Sequence, residues 1–162
     1  MPVDTRRRLS LFSFKSVINV TDGSLYKKTN MVDILGAIVK VEKLMHTSPI
    51  RNEFWDIKFE RIVYFTIRDL NGQNLRCIAC GCYSDMFENL WITRSHKDVN
   101  ICILRFWRID RELGSDQFIV RAVKNISELL FDPPVVEAIH AKYKMLSNPD
   151  FQCNDDRYSG GA

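Results

Sequence analysis

The sequence has little of what marks the common enzyme and membrane classes. None of its apolar runs approaches the roughly 18 residues that a membrane span needs. A glycine-rich phosphate loop and the H-E-x-x-H and G-x-S-x-G motifs are all missing. The three histidines, His46, His96 and His140, fall on two predicted loops and a helix, and the acidic residues are dispersed. We therefore predict that the protein is not an enzyme, needs no cofactor and has no membrane partner.

Cysteine is scarce and odd in number, with five residues in the chain. An odd number in a chain of this size favours reduced thiols over a disulfide framework. The run C-I-A-C-G-C lies in a predicted strand, which places Cys77 and Cys80 on opposite faces. Cys102 and Cys153 are too remote to supply the second pair of ligands that a zinc site needs. We expect buried free cysteines and no metal site.

Excess positive charge is also small, since Lys and Arg number 23 against 20 for Asp and Glu, a net charge of +3. Such an excess permits a nucleic-acid partner if the cations gather on one face. The N-terminal segment carries Arg6, Arg7 and Arg8 but no apolar core of a secretory signal. We expect an intracellular protein, and the arginine cluster is compatible with nuclear entry, with phosphate contact or with a solvated tail.

What the sequence does contain is a pattern of strands. Alternating apolar and polar residues, many of them β-branched, predict five strands, and Asn71-Gly72 predicts a hairpin turn between the second and third. Helical spacing of apolar residues predicts two helices. The predicted strands cover 32–45, 61–70, 74–82, 98–110 and 117–123, and the helices cover 83–92 and 133–146.

This order predicts an all-β fold with helices: a five-stranded OB-fold barrel, a helix between strands three and four, and a C-terminal helix. We place the OB-fold domain at 31–147. Residues 1–30 form a lead-in segment that can carry one short strand. Residues 148–162 form a flexible C-terminal tail.

Four segments occur in an order and spacing that match a known family: MVDILGAIVKV, FTIRDLNGQNLRCIACGCYSDMF, ICILRFWRID and SDQFIVRAVKNISELLFDPPVVEAIHAKY. In these segments the chain resembles an OB domain of the large, DNA-binding subunit of plant-type replication protein A and its short relatives. The resemblance covers about 31–146. The neighbouring OB domains and the zinc-bearing module of that subunit have no counterpart in this sequence.

The resemblance implies binding of single-stranded DNA in a groove across the barrel, where aromatic side chains stack on bases and cations track phosphates. It assigns Phe118 as a stacking aromatic and Arg76 as a basic groove residue. The family's second aromatic is a Trp before a Gly, and Cys80 takes that place here. One base stack contributes ~1–3 kcal/mol, so its loss would weaken binding about tenfold or more.

Aromatic and basic residues also alternate in two further places. The predicted loop 46–61 carries the aromatic pair Phe54 and Trp55 beside cations such as Lys58. The pair either stacks on a ligand next to these cations or pins the long loop onto the barrel. In the fourth strand, alternation places Arg105 and Trp107 together on one face, either toward the groove or as part of an ordinary solvated sheet. Both interpretations are open at each place.

We therefore predict a single OB-fold domain that binds single-stranded DNA, with RNA left open, in DNA replication, repair or recombination in the nucleus. The predicted phosphate contacts are Arg76, Arg105, Arg121, Lys124 and Lys58, and the predicted stacking residues are Phe118, Trp107 and Trp55. The rival hypothesis is a degenerate OB fold that acts as a protein-interaction module. Its last helix would then offer an apolar face to protein partners through Val136, Ile139 and Tyr143.

Overall fold

The structure is a computed structural model that describes residues 12–26, 28–42, 45–51, 57–94, 99–112 and 114–155. It contains eight strands, three α-helices and one 3-10 helix in this part of the chain. The strands are β1 (Met31–Val41), β2 (Met45–Arg51), β3 (Ile57–Arg68), β4 (Asn74–Cys80), β5 (Ile101–Arg111), β6 (Phe118–Arg121), β7 (Glu128–Phe131) and β8 (Asn154–Asp155). The helices are α1 (Val17–Thr21), α2 (Cys82–Thr93), α3 (Val136–Met145) and the 3-10 helix Pro149–Phe151.

Five strands close into a barrel. β1 pairs with β3, β3 with β4, β4 with β6, β6 with β5, and β5 returns to β1. The β4–β6 pairing is parallel, and the other four are antiparallel. The predicted hairpin at Asn71-Gly72 is confirmed, since Arg68 pairs with Asn74 across it. The remaining strands extend the margins, with β2 on β3, β7 on β5 and β8 on β1.

Alternation along the strands fills the barrel interior as the sequence predicts. Val63, Phe65 and Ile67 of β3 and Leu75 and Cys77 of β4 all point into one buried core. The helix α2 packs against the barrel because it adds further large side chains to this core. Its buried aromatic residues are Tyr83, Phe87 and Trp91.

Strand β5 departs from simple alternation through a β-bulge. Val32 of β1 pairs with Trp107, whereas Ile34 pairs with Leu104, so β5 has one extra residue in this interval. Phe106 takes a φ of 58° there, and its backbone N–H donates to the buried carboxylate of Asp33 at 3.0 Å. An extra residue exchanges the two faces of the strand beyond it.

The bulge decides the position of Trp107. Leu104 before it and Trp107 after it both belong to the interior core, and Trp107 is 0% exposed. Its indole N–H donates to the carbonyl oxygen of Glu128 at 2.9 Å. The prediction that Trp107 faces a groove is therefore wrong.

The predicted lead-in and tail also pack on the barrel within the described residues. In its described part the lead-in forms the helix α1, with Val17 and Val20 buried in the core, and an isolated parallel β-bridge between Phe14 and Asp33. At the other end, Phe151 is buried against the outside of the barrel, and β8 pairs with β1. Residues 149–155 of the predicted tail therefore lie against the barrel, in the 3-10 helix and β8.

Helix α3 lies across the outside of β1 and β5. It buries its small residues Ala138 and Ala141 together with Met145, and it packs on Ile101 and Ile103 of β5. Across the described ranges, no helix combines the length and the apolar character that a membrane crossing demands.

Candidate nucleic-acid interface

The outer surface of β3, β4 and β6 carries a second, smaller apolar cluster. Ile62, Ile78 and Ile119 are buried there, and Tyr64 and Cys80 pack beside them half-buried. Cys80 stands where the resemblance expects a stacking Trp. Because a thiol offers no aromatic face, this patch can contact a base through aliphatic and Tyr64 surface only.

Phe118 and Arg76, the two residues assigned from the resemblance, lie together at one edge of this surface. They line a cleft of about 400 Å³. Phe118 begins β6 and is half-buried, while Arg76 lies on the outer face of β4 between the interior residues Leu75 and Cys77. The other residues of this Phe118 cleft are polar: Thr21, Thr66, Asn74 and Gln117. An aromatic ring beside a cation and amide groups is a combination that can contact a nucleotide.

The charge of Arg76 is not isolated. Its guanidinium forms ion pairs with Glu42, at 2.9 Å, and with Glu112, and it lies 4.3 Å from the centre of the Tyr64 ring. The two carboxylates come from different parts of the chain, since Glu42 directly follows β1 and Glu112 directly follows β5. A phosphate that binds Arg76 therefore has to compete with both of them.

Three other predicted cations occupy different settings. Arg121 is half-buried on β6, with its Nε 3.6 Å from a carboxylate oxygen of Asp110. Lys124 is exposed in the turn after β6. Arg105 is 3.6 Å from the Glu128 carboxylate. Arg111 of β5 pairs with Phe118 of β6, and Arg105 lies six residues before Arg111, about 20 Å away along β5. The structure therefore does not bring Arg105 to the Phe118 cleft.

Three predicted residues remain. Trp55 lies outside the described residues. Lys58 lies on β3, but its side chain is also outside the described part. Trp107 is in the core, as its bulge dictates.

Two residues that the sequence-based site omits lie against Phe118. The Tyr26 ring is 5.0 Å from the Phe118 ring, centre to centre, and tilted by 49°. The Arg111 guanidinium carbon is 5.4 Å from the Phe118 ring centre and 5.9 Å from that of Tyr26. A single aromatic in a polar segment has no periodicity, so no sequence pattern points to Tyr26.

Two of the cysteines, Cys77 and Cys102, pack in the barrel core. Burial raises the pKa of Cys77 well above its usual value, and the neighbouring Cys102 adds to this effect. Burial likewise raises the pKa of Cys102. Both therefore remain neutral thiols in the core at physiological pH. Within the described ranges, no group of three or more His, Cys, Asp or Glu side chains could hold a metal ion.

Comparison with known proteins gives a likeness in structure but none in sequence. No model of a known protein family matches the sequence, and no curated protein matches it. A solved structure of a replication protein A heterotrimer bound to single-stranded DNA matches with a TM-score of 0.63 at 11% identity. The match covers 88% of this chain and 30% of that one. The chain has a replication protein A-like OB fold. The predicted fold class, a barrel with helices, is thereby confirmed.

Proposed function

We propose that this protein binds single-stranded nucleic acid, DNA in the first place, at the Phe118 cleft and without chemical conversion. The observation that carries this proposal is the pairing of Phe118 with Arg76 in one cleft of an OB-fold barrel. The structural neighbour is itself bound to single-stranded DNA. Because every base has an aromatic face, we expect little sequence preference.

The finer parts of the proposal follow the resemblance. We assign the chain to the relatives of the plant-type large subunit, in the nucleus, with a role in DNA replication, repair or recombination. In a multi-domain protein, tethering raises the effective concentration of each domain on the bound DNA, and the OB domain taken by itself lacks this gain. We therefore expect weaker binding than that of a multi-domain relative.

Phe118→Ala is expected to weaken binding to a fluorescently labelled oligothymidine by about 1–3 kcal/mol, because one base loses its stacking partner. Fluorescence anisotropy at low and near-physiological salt measures the effect. Phe118→Leu keeps apolar bulk at this half-buried position and should lose binding as well. Tyr143→Ala, on an exposed aromatic of α3, serves as the control and should bind like the wild type. A wild-type protein that binds no oligothymidine even at low salt would refute the proposal.

Glu112→Gln is expected to tighten binding by about 0.5–1 kcal/mol, two- to fivefold, because it removes one of the two carboxylates that hold Arg76. If Arg76 then gains a phosphate contact, the slope of log affinity against log salt should steepen by about 0.7. Glu137→Gln, on α3, makes the same charge change outside the cleft. An equal gain in both variants would show that net charge, and not the release of Arg76, sets the affinity.

A second candidate function is protein interaction through α3. Four large apolar residues, three in this helix and one directly after it, face away from the barrel and are 48–79% exposed. They are Val136, Ile139, Tyr143 and Leu146. We propose a partner helix as their ligand, since spacings of three and four residues present one continuous stripe. If the protein does not bind oligothymidine but sediments faster as its concentration rises, because its copies associate, this function is favoured over the first.

A further inference from the structure

The Phe118 cleft is extended on one side by a cluster of two rings and a cation. Tyr26 comes from the segment after α1, Phe118 from the start of β6 and Arg111 from the end of β5. The Tyr26 ring lies against Phe118 and remains 37% exposed. Arg111 is exposed, with its guanidinium within 6 Å of both ring centres. We call these three residues the Tyr26 cluster.

Tyr26 is held in place by folded structure. The preceding helix α1 buries Val17 and Val20 in the barrel core. The backbone N–H of Tyr26 donates to the carbonyl oxygen of Gly23 at 3.2 Å. Gly23 has a φ of 79°, and a Cβ at this position would lie 2.6 Å from the Phe118 ring. The turn that presents Tyr26 is thus fitted directly against Phe118.

We propose that Tyr26 is a second base-stacking residue of this protein, beside Phe118, with Arg111 as the cation that serves both rings. This inference rests on the proposed nucleic-acid function. The position at which the resemblance expects a second aromatic holds Cys80, and Trp107 is enclosed in the core. Tyr26 offers an exposed aromatic face next to Phe118 instead. Arg111 can stack on the same bases or meet their phosphates.

The same argument gives the N-terminal segment a part in the site. Thr21, at the end of α1, lines the Phe118 cleft, and Tyr26 lies five residues further along. A nucleic-acid strand that enters the cleft over Thr66 and Asn74 of the barrel would leave the cleft across the N-terminal segment that carries Tyr26. The nucleic acid then contacts both the barrel and the N-terminal segment, and its affinity depends on both sets of contacts.

The experiment compares oligothymidine binding by the wild type, Tyr26→Leu, Tyr26→Phe and Tyr143→Leu, by fluorescence anisotropy at low salt. Leucine keeps apolar packing against Phe118 but has no aromatic face. We expect Tyr26→Leu to weaken binding about fivefold or more, whereas Tyr26→Phe keeps it within about twofold of the wild type. Tyr143→Leu should match the wild type. Thermal unfolding of all four proteins, at similar midpoints, confirms that the comparison concerns folded chains.

A direct contact is tested by photocrosslinking. An oligothymidine with 5-iodouracil substituted at single positions is irradiated in complex with the wild type, and the adduct is mapped by mass spectrometry. An adduct on Tyr26 supports the inference. If Phe118→Ala loses binding while Tyr26→Leu binds as the wild type does or more tightly, Tyr26 only packs on or shields Phe118, and this inference falls while the proposed function stands. If the wild type does not bind at all, the proposed function itself falls.

Discussion

Trp107→Ala is expected to lower the free energy of unfolding by about 3–5 kcal/mol, as large-to-small substitutions of buried aromatic residues do. The whole indole is enclosed in the barrel. It meets Phe65 edge-on at 6.0 Å and Tyr83 at 6.4 Å between ring centres. Truncation would leave a cavity and remove the donor to the Glu128 carbonyl. The measurement is urea unfolding, followed by circular dichroism.

Two variants keep this prediction open to refutation even if Trp107→Ala does not fold. Trp107→Phe retains most of the ring volume but loses the indole N–H, and we expect a loss of about 1–2 kcal/mol. Tyr143→Ala, on the surface, should change stability by less than about 0.5 kcal/mol. If Trp107→Ala had wild-type stability but bound oligothymidine more weakly, Trp107 would lie in the groove, and its burial after the β5 bulge would be contradicted.

The β5 bulge also shows why the fold could be predicted from the sequence more fully than the site. The core-facing residues of β3 and β4 were predicted correctly, because each strand alternates without interruption, as Val63, Phe65 and Leu75 show. On β5 the same reasoning gave the wrong face after Phe106. Phe106 takes a positive φ at this bulge, a conformation that Gly, Asn and Asp adopt more readily than Phe, so the residue type gives no signal of the bulge.

The site itself depends on contacts between distant segments. The residues assigned from the resemblance, Phe118 and Arg76, do lie in one cleft. No sequence pattern indicates that Glu42 and Glu112 hold Arg76, because these carboxylates are 34 and 36 residues away from it. Tyr26 was missed for the same reason, since its position depends on the folding of α1 against the core.

Helix α3 illustrates a different limit of sequence patterns. Its apolar stripe is visible in the sequence, but a stripe does not specify whether it faces the barrel or the solvent. The barrel selects the small residues Ala138 and Ala141 instead, because close approach of the helix to β1 and β5 leaves little room. The larger side chains of Ile139 and Tyr143 are thereby left outside.

Asp69→Ala is expected to destabilise the protein by about 4 kcal/mol and to release the N-terminal segment. The buried carboxylate accepts hydrogen bonds from the backbone N–H groups of Val17, at 3.0 Å, Asn71, at 3.1 Å, and Gln73, at 3.0 Å. A hydrogen bond to a charged group contributes about 1.5–3 kcal/mol, and a buried donor without a partner is itself costly. The same side chain therefore holds the β3–β4 turn and the start of α1.

Asp69→Asn separates these two roles. The amide has the size of the carboxylate, and its oxygen can still accept from the turn at Asn71 and Gln73, but its NH₂ group cannot accept from Val17. We expect a smaller loss of stability than in Asp69→Ala, together with faster amide hydrogen exchange at Val17 and in the segment that carries Tyr26. If Tyr26 stacks on a base, oligothymidine binding should weaken in step with this exchange, because the aromatic is then less often in position. Unchanged exchange at Val17 would show that core packing by Val17 and Val20 alone fixes α1, and that the Asp69 bond to it is dispensable.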